Sequence, residues 1–233
     1  YLNKIKRHMN KIDGNLILGV IERNDAGIYN SAISFGEDES QKYRKYHLVP
    51  FGEYVPLRGI FGFIYEDLLN MPFNDLSRGE RIQLPMKFDQ QKIAINICYE
   101  DVFGNEIIRQ LPNANILLNM SNDAWYGHSI AAEQHLQISQ ARAIENECYV
   151  AIAGSVGNLP NVHNMDIQFA QSMVFTPCDF SFPSNGIKAE ATPNTEMILI
   201  ADVDIDLLRE LNRFGSVRNL NDRRKDIFEL KKK

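Results

Sequence analysis

The stretch "INICYEDVF", residues 95–103, leads from an apolar run through Cys98 into two consecutive acids. The run from 92 to 98 predicts a buried strand, and residues 103–111 predict a helix. Cys98 then lies on a tight strand-to-helix turn, where backbone N–H groups and the helix dipole favour a thiolate and can bind an oxyanion. A small buried hydrophobe is the alternative, because cysteines are among the most buried residues. The local pattern leaves both interpretations open.

Outward from this turn, strands and helices alternate through the middle of the chain, and hairpin-like strand pairs lie toward both ends. This order predicts a mixed sheet packed against helices, in a single α/β or α+β domain that spans residues 1–233. The predicted strands are 15–23, 27–35, 92–98, 115–120, 148–156, 171–177 and 196–205. The predicted helices are 1–12, 63–70, 103–111, 129–147 and 204–214.

Two of these elements carry a prediction about burial. The strand 15–23 is mostly apolar and is expected to be buried. In the helix 129–147, apolar or small residues recur at helical spacing and predict the face that packs against the protein. The residues of this face are Ala131, Gln134, Ile138, Ala141 and Ile144.

The amino-acid composition limits the classes of protein to which this chain can belong. The 233 residues are 44% hydrophobic and 24% charged, which suits one large globular domain. The formal net charge of −5, from 30 acids and 25 bases, gives no indication of nucleic acid binding. No apolar run approaches the ~20 residues that span a bilayer. Three cysteines without metal-type spacing argue against a disulfide framework or a zinc site.

Two further polar stretches could contribute to a site. In "KYHLVPFGEYVPL" (45–57), Lys45, His47 and Glu53 lie on a loop stiffened by two prolines, and a lysine near a thiolate stabilises both it and an oxyanion. In "LLNMSNDAWYG" (117–127), a strand ends where α/β sheets bind ligands, so Asn122, Trp125 and Tyr126 are candidate substrate-binding residues. The alternatives are a solvated loop in the first stretch and a turn cap in the second.

Taken together and in this order, "KYHLVPFGEYVPL", "ICYED" and "SNDAWYG", followed by "QARAIE", resemble the nitrilase (carbon–nitrogen hydrolase) superfamily. The resemblance covers roughly residues 15 to 210. The middle of the chain is most similar to the hydrolase domain of the apolipoprotein N-acyltransferase branch. The last third is more similar to soluble nitrilase-type amidases.

The resemblance implies an αββα sandwich with a mixed sheet and a Glu–Lys–Cys triad that needs no metal or other cofactor. Cys98 matches the nucleophile, and Lys45 matches the catalytic lysine. Glu53 and Glu100 match further acids of the site. Tyr99 and Trp125 match positions near the substrate pocket of the acyltransferase branch.

The sequence departs from the family pattern in two ways. The triad's glutamate, which acts as general base, precedes the lysine motif in the family. Glu22 is not at that position, so we expect the N-terminal strand–helix elements and the base to be missing and activity to be weak or absent. The acyltransferase branch also carries membrane helices, which this sequence lacks.

The implied reaction is acyl transfer at carbon–nitrogen bonds through a cysteine thioester. The alternatives are a soluble amidase or nitrilase-type hydrolase, and an inactive truncated member. The implied partners are a small amide or acyl substrate, a lipoprotein N-terminus and phospholipid in a membrane-type enzyme, and a second copy in a homodimer or higher oligomer. The location follows the function: cytoplasmic for an amidase, and membrane-associated with an extracytoplasmic domain for an N-acyltransferase.

Overall fold

The computed structural model describes residues 2–36, 39–57, 75–111, 113–123, 129–157 and 170–224. Its contacts divide the chain into two compact units. The first comprises Tyr1–Ala114 and Asn119–Ser121, and the second comprises Asn115–Leu118 and Asn122–Lys233. That residues 1–233 form a single domain stays a prediction. The predicted helix at 63–70 lies outside the described residues.

The first unit begins with helix α1 (Leu2–Lys11) and a three-stranded antiparallel sheet in the order β1-β2-β3. The strands are β1 (Leu16–Asn24), β2 (Gly27–Phe35) and β3 (Lys42–Arg44). The Asn24 side chain accepts hydrogen bonds from the backbone N–H groups of Ala26 and Gly27, and this closes the β1–β2 turn. β1 is half-exposed rather than buried, with Ile21 64% exposed, so the prediction of a buried strand was wrong.

The same unit holds the strands that lead to Cys98. β4 (Met86–Phe88) pairs antiparallel with β5 (Gln91–Ile97), and the last residues of β6 (Ile116–Ser121) lie next in strand order. β5 is followed by a 3-10 helix (Cys98–Val102) and by the single turn of α2 (Gly104–Ile107), which is shorter than the predicted helix. The last four residues of β5 are all buried, because apolar and polar contacts cover both of its faces.

In the second unit, the start of β6 is followed in strand order by three further strands. The strands are β7 (Tyr149–Gly154), β8 (Met173–Phe175) and β9 (Ile187–Glu190), and the helices are α3 (Ala131–Asn146), α4 (Ile205–Phe214) and α5 (Asn219–Asp222). β7 pairs antiparallel with β8, and β8 pairs antiparallel with β9 through an irregular register. The apolar core of this unit forms around Tyr149, Phe182 and Leu208.

Two predictions for this unit were wrong. The buried residues of α3 are His135, Ser139, Ala143 and Asn146, not the predicted face. Small and polar residues that find hydrogen-bond partners form this face, and apolar periodicity cannot reveal them. Residues 196–203 form no strand in the described structure, and Ile198 and Ile200 are 87% and 82% exposed.

The mixed α/β architecture and its mixed sheet are confirmed. Among the helices that the structure describes, none has the length and apolar character required to cross a membrane.

Candidate active site

Cys98 lies at the point where β5 ends and the 3-10 helix begins, as the sequence predicts. Its backbone φ is 49°, in the left-handed region that residues other than glycine rarely adopt. The thiol-bearing residue is half-buried, whereas Cys148 is buried and Cys178 is exposed. The side-chain amide of Asn119 donates a hydrogen bond to the Cys98 carbonyl oxygen at 3.2 Å. Backbone in such a conformation persists only where the surrounding structure holds it.

Lys45 follows β3 and is one of the most deeply buried charged residues, at 1% exposure. Its Nζ atom lies 2.8 Å from Oε2 of Glu53. The backbone N–H of Lys45 donates to the carbonyl of Asn30, and its carbonyl accepts from the N–H of Gly79. Both the main chain and the side chain of this lysine are therefore fixed, and its ammonium group pairs with the Glu53 carboxylate.

The Glu53 carboxylate accepts hydrogen bonds from its own loop and from strand β2. Oε2 of Glu53 accepts a hydrogen bond from the backbone N–H of Val49 at 2.8 Å, and Oε1 accepts from the Asn30 amide at 3.0 Å. The Glu53 backbone N–H also donates to the Val49 carbonyl. Two neutral donors and one cation thus compensate the charge of this buried carboxylate.

Glu100 connects the lysine loop to the cysteine turn. Its Oε1 atom accepts from the backbone N–H groups of Tyr46 and His47, which follow Lys45. Its Oε2 atom accepts from the backbone N–H of Ile97, which precedes Cys98, and from the Tyr43 hydroxyl. Burial raises the pKa of Glu100, and these four hydrogen bonds oppose that rise. One carboxyl group therefore sets the spacing between the two segments.

His47 belongs to an aromatic group beside the turn. Its ring stacks on Phe103 with centroids 3.7 Å apart and meets the edge of Tyr99 at 5.7 Å. Its Nδ1 atom lies 3.2 Å from a carboxylate oxygen of Glu106. The Tyr99 and Phe103 rings also meet edge to face, at 5.1 Å. These contacts fix the aromatic ring next to Cys98.

A small polar cavity borders Glu100, Tyr43 and Asn96 and has a volume of about 30 Å³. That volume accommodates about one water molecule, so the cavity is not an acyl pocket. Among the residues that the structure describes, no cluster of three or more His, Cys, Asp or Glu side chains could hold a metal ion.

Of the remaining predicted substrate-binding residues, the structure describes only Asn122. Asn122 is exposed and belongs to the second unit. Trp125 and Tyr126 lie outside the described residues. The structure thus brings together the surroundings of Lys45, Glu53, Cys98, Tyr99 and Glu100 within the first unit.

Sequence reasoning missed the residues that brace the Cys98 turn. Asn119 on β6 is 0% exposed, and Asn96 on β5 donates to Oδ1 of Asp101 at 3.0 Å. Tyr43, which donates to Glu100, is also buried, and burial raises its pKa well above the ordinary value. The available signal was a buried-strand position occupied by asparagine in both "KIAINIC" and "NILLNMS".

Comparison with known proteins identifies the family of this chain. Residues 1–213 match the family model described as Carbon-nitrogen hydrolase. The chain is 46% identical over 195 residues to an apolipoprotein N-acyltransferase of Nitrosomonas europaea, which covers 83% of this chain and 39% of that protein. It is 40% identical over 161 residues to Probable hydrolase YhcX of Bacillus subtilis, with 68% and 30% of the two chains covered. The chain therefore spans less than half the length of these curated relatives.

Solved structures share the fold at low sequence identity. The NitFhit protein of C. elegans superposes with a TM-score of 0.72 at 20% identity, over 99% of this chain and 51% of that one. A carbon–nitrogen hydrolase from Helicobacter pylori G27 gives a TM-score of 0.69 at 21% identity, with 100% and 77% covered. This chain belongs to the carbon–nitrogen hydrolase family, within the nitrilase superfamily.

Proposed function

We propose that this chain carries out acyl transfer at carbon–nitrogen bonds through a thioester on Cys98. The observation that carries this proposal is the φ of 49° at Cys98, on a half-buried turn between a strand and a 3-10 helix. Strained backbone at a cysteine is a cost that most structural positions avoid, and such outliers concentrate at active sites. The family membership supports acyl transfer or hydrolysis as the class of reaction.

In the proposed reaction, Lys45 stabilises negative charge on the acyl oxygen. A protonated lysine is suited to this task only if it is desolvated and fixed, and Lys45 is 1% exposed with Glu53 at 2.8 Å. Glu53 supplies the opposite charge that offsets the burial of the Lys45 ammonium group. Glu100 is a positioning residue, because it binds the backbone that follows Lys45 and the backbone that precedes Cys98.

The proposed reaction forms and breaks bonds in the same order as covalent catalysis by other thiols. The Cys98 thiolate forms a C–S bond to the acyl carbon, and the carbonyl oxygen becomes an oxyanion near Lys45 and the backbone N–H of Tyr99. The oxyanion collapses, the bond from the acyl carbon to the leaving group breaks, and the leaving group takes the proton that the thiol has lost. By resemblance, a glutamate that precedes the lysine motif removes the thiol proton in the family, and we assign that step to no residue numbered here.

The acceptor that resolves the thioester distinguishes transfer from hydrolysis. Several relatives are named apolipoprotein N-acyltransferase, which favours a phospholipid acyl donor and the amine of a lipoprotein N-terminus as acceptor. The relative named Probable hydrolase YhcX favours water instead. We take transfer as the first candidate, since the greatest identity over the longest aligned stretch among these relatives is to an acyltransferase.

One experiment tests the reaction and the acceptor together. The protein is incubated in detergent micelles with a phospholipid that carries a labelled acyl chain, with and without a peptide whose N-terminal cysteine carries an S-diacylglyceryl group. N-acylated peptide is expected to form slowly with wild type, because no residue numbered here is assigned as the general base, and is absent with Cys98→Ala. Labelled free fatty acid in place of N-acylated peptide would favour the hydrolase. Equal product from Cys98→Ala would overturn the proposal.

A further inference from the structure

We infer that Asn119 is a positioning residue of the proposed reaction, acting through the peptide group that joins Cys98 to Tyr99. This inference rests on the proposed function. Asn119 is 0% exposed on β6, and its Nδ2 atom donates to the Cys98 carbonyl oxygen at 3.2 Å. Because a carbonyl oxygen can only accept, the NH₂ group of the asparagine must face Cys98.

The place of Asn119 in its strand explains how it reaches the turn. β6 alternates between half-buried and buried positions, and Leu117, Asn119 and Ser121 share the buried face. A strand presents every second side chain to the same side. An apolar residue is the expected occupant of the middle position of this face, and an amide stands there instead.

The hydrogen bond has a consequence on the far side of the peptide group. In a planar trans peptide the carbonyl and the next N–H point in opposite directions. Fixing the Cys98 carbonyl therefore fixes the direction of the Tyr99 N–H. That N–H is at the start of the 3-10 helix and has no acceptor within it, so it is suited to bind a developing oxyanion.

The other half of the Asn119 amide points to function rather than stability. Oδ1 of Asn119 is buried, and the described part of the chain places no donor within hydrogen-bond distance of it. A buried acceptor without a donor destabilises the folded state. A residue selected only for stability at this position would be apolar. The unsatisfied oxygen is tolerated because the NH₂ group of the same amide holds the Cys98 carbonyl, at a residue whose backbone φ is 49°.

The test separates stability from reactivity. Asn119→Leu replaces the amide with an apolar side chain of similar size, and it removes both the hydrogen bond and the unsatisfied acceptor. We expect thermal stability equal to or above wild type, and formation of the Cys98 thioester from a p-nitrophenyl ester slowed by about ten- to a hundredfold. Thr176→Val is the matched control: Thr176 is also 0% exposed with a buried Oγ1 that has no partner in the described structure. It should leave the thioester rate unchanged.

A second variant keeps the inference testable if Asn119→Leu fails to fold. In Asn119→Asp an ionised carboxylate faces the Cys98 carbonyl, and only the protonated form can donate to it. Burial raises the pKa of such a carboxyl. The thioester rate relative to wild type at the same pH should therefore recover as the pH falls. A ratio that stays flat across pH would count against a donor role.

The alkylation rate of Cys98 by iodoacetamide, read by peptide mapping, does not depend on the proposed reaction. Slower alkylation in Asn119→Leu with no thioester in wild type would reject the proposed function and retain the positioning role. Folded Asn119→Leu with wild-type rates of both thioester formation and alkylation would overturn the inference.

Discussion

Lys45 Nζ and Glu53 Oε2 lie 2.8 Å apart, with the lysine side chain 1% and the glutamate side chain 10% exposed. The two charges are desolvated together, so each is tolerated only because of the other. Removing one partner of a buried pair leaves an uncompensated charge, whereas removing both leaves apolar or neutral groups. The stability of the first unit and the proposed reaction thus depend on the same pair in different ways.

Single substitutions of this pair should be severely destabilising. We expect Lys45→Met and Glu53→Gln each to lower the free energy of unfolding by about 3–5 kcal/mol. The double variant should recover part of that loss, because no charge remains buried, while thioester formation stays abolished. Urea unfolding and a double-mutant cycle measure the coupling. Additive losses would mean that the two side chains do not act as a pair.

Glu100→Gln should cost a single hydrogen bond. The retained oxygen still accepts from Tyr46 and His47, and the new NH₂ group can donate to the Tyr43 hydroxyl, which rotates to accept. The same NH₂ group faces the Ile97 N–H, so that donor loses its acceptor. We expect a loss of about 1–3 kcal/mol in urea unfolding and slower thioester formation. Unchanged stability and an unchanged rate would rule out Glu100 as the link between the two segments.

Glu22 should make stability depend on pH in the acid range. Hydrogen bonds from Arg44 and then Lys42 lower the pKa of Glu22 from 4.5 to about 2. A carboxyl with a lowered folded-state pKa stabilises the fold above its unfolded value, and that contribution is lost as the pH falls from 4.5 toward 2.

Unfolding curves for wild type and Glu22→Gln should therefore differ above this window and converge at its lower end. Glu196→Gln, at an exposed carboxylate in the second unit, is the control and should follow wild type. A constant difference between Glu22→Gln and wild type across the whole range would contradict the assignment.

Asp204 should act as the N-cap of α4. Its Oδ1 atom accepts from the backbone N–H of Leu207 at 2.9 Å, and its own φ and ψ are extended. We expect Asp204→Ala to lower the free energy of unfolding by about 1 kcal/mol. Asp204→Asn should retain most of the stability, because its side-chain oxygen can still cap. Equal losses in both variants would indicate that charge, rather than the cap bond, stabilises this helix end.

Local sequence patterns were sufficient to predict the elements of the fold that contact residues close to them in sequence. The β1–β2 hairpin and the strand-to-turn change at Cys98 are visible in a few consecutive residues. The apolar run 196–205 was misleading, because strand formation needs a hydrogen-bonded neighbour, which β propensity cannot supply. In α3, His135 is buried because its ring meets Asp123, a contact that the spacing of apolar residues does not encode.

The same difference between local and distant contacts applies to the residues of the candidate site. Cys98, Lys45 and Glu53 were proposed as site residues because they lie in motifs that are continuous in sequence. Asn119 was missed, because its importance comes from one hydrogen bond to a residue 21 positions away. A buried asparagine in the middle of an apolar strand is the only local trace of that contact.

Mass spectrometry of the acylated protein tests the central claim most directly. The chain is incubated with a p-nitrophenyl ester in a Cys178→Ser background, because Cys178 is an exposed thiol that could react on its own. The protein should gain the mass of one acyl group, located on Cys98 by peptide mapping and released by neutral hydroxylamine. The Cys98→Ala variant in the same background should gain none. An acyl group on Cys148 or any other residue, or equal acylation without Cys98, would contradict the account.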